Sequence, residues 1–139
     1  MTSKLIALFT LALLLTTSIV FARAAPMQTY NDIAISGNDG KALQMEQIKK
    51  AIQAVATKRE WITKSDGEGK LIATLDVRGK HSVVIAITYS TTQYSMTYKD
   101  STNLNYKAKE GSATEIHPGY NKWLDTLKKE ISLELQKPQ

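Results

Sequence analysis

The sequence predicts an α+β fold of element order α-β-β-β-β-α, an antiparallel meander sheet with two helices packed on one face. Three features carry this. Apolar residues recur at steps of three and four in two segments, one early and one at the end. Between them, three segments alternate apolar with polar residues. The connections joining those segments are short enough for hairpins between antiparallel neighbours.

Residues 1–24 read as a secretory signal peptide. Lys4 gives a positive start, Leu5 to Val20 an apolar run broken only by Thr and Ser, and Ala22-Arg23-Ala24 the small-x-small pattern that a signal peptidase reads. A membrane anchor competes with this reading, but the run falls short of the roughly 20 apolar residues that a bilayer core requires. Cleavage after Ala24 removes 24 of 139 residues and leaves 115, one domain's worth. The chain has no cysteine, so disulfides, thiolate metal sites, thiol nucleophiles and a lipid-accepting cysteine are excluded. The expected location is the periplasm or the exterior, with no membrane span after cleavage. The formal charge of +5 drops to about +3 once Lys4 and Arg23 are discounted. That excess is small, and the exported location together with the lack of a basic-aromatic stripe argues against nucleic acid as a partner.

Residues 25–40 are rich in Asn, Asp, Ser, Gly and Thr and read as an extended or flexible lead-in, with a short apolar piece at Ile33-Ala34-Ile35. A single domain is expected over 41–136. Its first helix spans Lys41 to Thr57, with Met45, Ile48, Ile52 and Val55 on one side. A short β segment covers Arg59 to Lys64, followed by a turn at Ser65 to Gly69. Strands follow at Lys70–Arg78 with Leu71, Ala73, Leu75 and Val77 inward, at Ser82–Ser90 with Val83, Ile85, Ile87 and Tyr89, and at Gln93–Lys99 with Tyr94, Met96 and Tyr98.

Register constrains the turns, since a one-residue slip moves every side chain to the wrong face. Matching Val77 with Val83 and Leu75 with Ile85 calls for a three-residue loop, Gly79-Lys80-His81, with Gly79 at positive φ. Tyr89 opposite Tyr94 calls for a four-residue loop, Ser90 to Gln93. Asp100 to Glu115 reads as a loop. The last helix starts near His117-Pro118, where proline is tolerated, and carries Tyr120, Trp123, Leu124, Leu127, Ile131 and Leu135 on its apolar stripe. The uncovered sheet face would show Thr74, Asp76, Arg78, Val84, Ala86, Thr88, Ser95, Thr97 and Lys99.

Several stretches carry a family resemblance: Gly40-Lys41-Ala42-Leu43, Ile72 to His81, the run Tyr94-Ser95-Met96-Thr97-Tyr98-Lys99-Asp100-Ser101-Thr102-Asn103-Leu104-Asn105-Tyr106, and Ile116-His117-Pro118-Gly119-Tyr120-Asn121-Lys122-Trp123. Together they resemble a family of small uncharacterised proteobacterial secreted proteins and lipoproteins. The resemblance implies a place in the cell envelope and no assigned activity. Many relatives carry a lipobox cysteine, absent here, and Thr where this chain has Gln44, which weakens the expected cap of the first helix.

Chemistry-bearing motifs are sparse. His81 and His117 are the only neutral-pH bases, far apart in sequence and without metal-ligand spacing. There is no G-x-S-x-G elbow, and Asp66-Gly67-Glu68-Gly69 lacks the Lys-Ser continuation of a phosphate loop. No catalytic residue, metal site or cofactor is expected. The richest cluster is Tyr98, Asp100, Asn103, Asn105, Tyr106, His117, Tyr120 and Asn121, with Tyr94 and Trp123 beside it. Two readings fit these residues. Either the aromatics pack helix on sheet while the amides bond loop backbone, or the Asp100–Tyr106 loop and the start of the last helix form a ligand pocket. Aromatic walls with amide handles would suit a sugar, a peptidoglycan fragment or a short peptide.

The leading functional expectation is a non-enzymatic binding or accessory module of the cell envelope. Its partner would be an envelope protein, a glycan, or a second copy meeting it through the open sheet face. A hydrolase using His117 with Asp100 or Asn121 is one alternative, and a weak binder of anionic envelope polymers is another.

Overall fold

The computed structural model describes residues 24–108 and 110–138. The predicted signal peptide, apart from Ala24, lies outside these residues. Among the described residues, these strands and α-helices follow in order: β1 (Ala25–Pro26), β2 (Tyr30–Ala34), α1 (Met45–Lys58), β3 (Ile62–Ser65), β4 (Lys70–Val77), β5 (His81–Tyr89), β6 (Gln93–Thr102), β7 (Glu115–Ile116) and α2 (Pro118–Leu135), with a short 3-10 turn at Asn38–Gly40 before α1. The fold is α+β with a meander sheet: β3 to β6 pair in sequence, antiparallel throughout. A fifth strand, β2, closes the far edge, giving the order β2-β6-β5-β4-β3.

The alternation read from the sequence sorts the two faces. Leu71, Ala73, Val83, Ile85, Ile87, Tyr94 and Met96 are buried against Ile48, Ile52 and Val55 of α1 and Leu124, Leu127 and Ile131 of α2. On the back face Thr88, Thr97 and Lys99 are exposed. Ala86, also on that face, is buried because Ile72 and Thr97 flank it on the neighbouring strands. The back face also carries Ile62, opposite Thr74 and 68% exposed.

Several expectations change. The connection between β4 and β5 has three residues, but they are Arg78, Gly79 and Lys80, and Leu75 pairs with Val83 and Val77 with His81. The register is therefore displaced by two residues, which leaves every side chain on its expected face. Arg78 causes this by joining Gly79 in the left-handed region, at φ 58° and 64°. The Asp76 carboxylate holds the bend by accepting from Gly79 N–H at 2.9 Å.

Tyr89 does face Tyr94, as expected. The loop beyond them is tight, with Ser90 N–H donating to the Gln93 carbonyl at 2.9 Å.

The second change is at β6, which continues to Thr102, so Asp100 and Ser101 are strand residues and not loop residues. A bulge between Val84 and Ile85 accommodates the added length by leaving Lys99 without a partner across the ladder.

The third change is that 25–40 is extended but built into the domain. β2 runs antiparallel to β6, and β1 pairs with β7. Tyr30 is 5% exposed, and its hydroxyl donates to Asp125 Oδ1 at 2.8 Å.

The first helix begins at Met45, four residues later than expected, after Gln44. The cap that Gln44 seemed to weaken is supplied in part by Gln47, whose Oε1 accepts from Gln44 N–H at 2.9 Å.

Candidate functional site

The segment leaving β6 is shaped by two asparagines. Asn103 and Asn105 have φ of 57° and 50°, a region that asparagine tolerates better than most residues. Leu104 between them is 2% exposed and plugs the core. Three further bonds hold this corner. Asn103 Nδ2 donates to the Lys80 carbonyl at 2.7 Å. His81 Nδ1 donates to the Asn103 carbonyl at 2.8 Å. His117 N–H donates to the Leu104 carbonyl at 2.7 Å. The Asn-Leu-Asn triplet is thus a left-handed, buried, left-handed corner.

That corner delivers Tyr106 onto Tyr98. Their rings stack with centroids 4.2 Å apart at 10°, and Tyr120 meets Tyr98 edge-on at 6.0 Å. Tyr120 is buried, whereas Tyr106 is 39% exposed, so the outer ring of the stack faces solvent. The Tyr98 hydroxyl bonds Ser101 Oγ at 2.8 Å. Burial pushes the phenols of Tyr98 and Tyr120 up, and the neighbouring Tyr106 adds to both. Tyr98 and Tyr120 are therefore uncharged at neutral pH.

The start of α2 is packed around a glycine. His117 is its N-cap, and its Nδ1 accepts from Gly119 N–H at 3.0 Å. A Cβ on Gly119 would lie 3.0 Å from His117 Nδ1 and 3.1 Å from the Trp123 ring. Glycine lets the imidazole fold back over the helix end while the indole lies across it. His81 and His117, 36 positions apart, come together with ring centroids 6.3 Å apart at 24°.

The predicted cluster divides on this geometry. Tyr98, Tyr106 and Tyr120 come together, with Asn105 exposed beside Tyr106. Asn103 supports the backbone. Asn121 is buried and tied to the N-terminal segment, donating to the Pro26 carbonyl and accepting from Gln28 N–H, each at 3.0 Å. The Asp100 carboxylate accepts from Ser101 N–H at 2.8 Å, opposite Val84 on the back face. No hydrogen bond joins any two of His117, Asp100 and Asn121.

Of the two readings, packing and pocket, the geometry shows packed tyrosines with the outer ring at the surface. A cavity of about 180 Å³ beside the β4–β5 hairpin is lined by Asp76, Gly79, Lys80, His81, Ser82 and Thr102. A groove of about 380 Å³ between the helices is lined mainly by Val55, Lys58, Glu130 and Leu133. None of the eight predicted site residues lines either one.

Sequence reading missed His81 as a neighbour of His117, and Gly119 as the position that permits the His117 cap. Pro118-Gly119 after a histidine at a helix start was the available signal. Among the described residues, no group of three or more His, Asp or Glu is placed to hold a metal ion. No helix among them is long and apolar enough to cross a membrane. Comparison with known proteins finds no matching family model, no matching curated protein and no matching solved structure.

Proposed function

We propose that the chain is an exported, non-enzymatic binding module of the bacterial cell envelope, and that its ligand is a glycan stacked on Tyr106. One observation carries the reading: a solvent-facing tyrosine ring is backed by a second ring at 4.2 Å, which a third meets edge-on. A pyranose presents an apolar C–H face that stacks on such a ring. Because the ring is already fixed, binding forfeits little side-chain freedom. Asn105, exposed beside it, offers a donor and an acceptor for sugar hydroxyls. The signal-like N-terminus and the resemblance to envelope proteins support the location.

The test is an NMR titration of the protein beginning at Ala25 with N,N′-diacetylchitobiose. Saturable shifts at Tyr106, Asn105 and Tyr98, lost in Tyr106→Ala, are the expected outcome. A spectrum unmoved at those residues would refute the reading.

A further inference from the structure

The strand register sets Ala25 across β7 from the stacked tyrosines. On one side of β7, Ala25 lies opposite Ile116 and Pro26 opposite Glu115. On the other, Lys107 bridges Glu115 through two backbone bonds of 2.9 Å. Tyr106, the residue before Lys107, therefore falls beside Ile116. Ala25 and Tyr106 flank the same residue, roughly 10 Å apart at two strand spacings. His117 follows Ile116 directly.

The first strand is pinned by its ladder to β7, from Ala25 opposite Ile116 onward, and by three further bonds. The Pro26 carbonyl accepts from Asn121 Nδ2 at 3.0 Å, Met27 N–H donates to the Thr114 carbonyl at 2.8 Å, and Gln28 N–H donates to Asn121 Oδ1 at 3.0 Å. A cut after Ala24, where the small-x-small pattern ends, spares all three. It also converts the Ala25 nitrogen from a neutral amide into an α-ammonium on a fixed strand. Exposed lysine ammonium groups swing on long stems and lose entropy when they pair. A backbone ammonium held by a strand does not.

We infer that processing after Ala24 completes the binding surface: the α-ammonium of Ala25 is its fixed cation, and the preferred ligand is a glycan bearing a carboxylate, its ring on Tyr106 and its acid at Ala25. This rests on the reading of Tyr106 as a sugar-stacking ring. Ala25 and Tyr106 are separated by a span that a disaccharide covers.

The test compares the protein beginning at Ala25 with the same protein N-terminally acetylated, which removes the charge and adds little bulk. Two probes are titrated at about pH 6.5, below the ordinary α-amino value near 8. One is the N-acetylglucosamine–N-acetylmuramic acid disaccharide, which carries a carboxylate; the other is neutral N,N′-diacetylchitobiose. The free amine is expected to favour the acidic disaccharide by about threefold, the scale of an exposed ion pair. Acetylation is expected to abolish that preference and leave chitobiose binding unchanged. An acidic preference that survives acetylation, or none in the free-amine protein, overturns the inference while leaving the stacking reading intact. Failure of both disaccharides to bind removes both.

Discussion

Two pairs of tyrosines in this domain are used in opposite ways. Tyr30 and Tyr94 sit on the inner face of neighbouring strands and send their hydroxyls to α2. Tyr30 reaches the Asn121 carbonyl at 3.1 Å and Asp125 at 2.8 Å, and Tyr94 reaches the Lys128 carbonyl and Ser132 at 3.0 and 2.9 Å. These two rings stitch sheet to helix. Tyr98 and Tyr106 make no bond to α2; they lie on each other, and the outer ring faces water. Residue type alone does not separate core from contact surface. What separates them is whether the hydroxyl has a helix to reach.

The largest expected effect tests the stitching pair. Tyr94→Ala removes a fully buried ring and should cost about 3–5 kcal/mol in chemical denaturation, as large core truncations do. A loss below about 1 kcal/mol would erase the contrast. Asn121→Ala comes next, at about 1–3 kcal/mol, because it leaves Gln28 N–H and the Pro26 carbonyl without their partner. Faster hydrogen exchange at Gln28 is the accompanying sign.

A third effect appears with pH. Burial, then Asp125, holds the Tyr30 phenol above its ordinary value, and burial raises Tyr94. The folded chain thus keeps protons that the unfolded chain releases near pH 10. Their contribution is complete below about pH 10 and is lost as the pH rises beyond it. Tyr30→Phe should flatten the fall in denaturation midpoint between about pH 9 and pH 11. The smallest effect belongs to the surface pair. Tyr106→Ala should cost only about 0.5–1.5 kcal/mol, the worth of an aromatic pair, while abolishing disaccharide binding. A larger cost would place Tyr106 with the stitching residues.

Much of the fold was legible because the strands are patterned by burial on one face. Leu71, Ala73 and Leu75 could be placed inward from alternation alone, and the alternation survived the two-residue displacement of their partners. The displacement was not legible, because nothing in Arg78 announces a left-handed backbone. β2 was missed because Asn31 and Asp32 interrupt its apolar pattern and its partner is β6, about sixty residues away. The candidate site was half legible. The aromatic run from Tyr94 to Tyr106 marked the segment that carries the tyrosine stack, but Asn103 and Asn121 looked like ligand handles. Asparagine serves equally for a left-handed corner and for holding a distant strand, and only the fold decides between these uses.

Residues 25–30 are fastened to residues 116–125: Pro26 to Asn121, Tyr30 to Asp125, Ala25 to Ile116. Contacts of such high sequence separation form late, since the intervening chain must first be brought together. A polypeptide emerging from its N-terminus cannot dock β1 until β7 has followed, nor bond Pro26 and Tyr30 until the last helix has. Any process that delivers this chain N-terminus first therefore handles an open, threadable polypeptide until the last helix arrives.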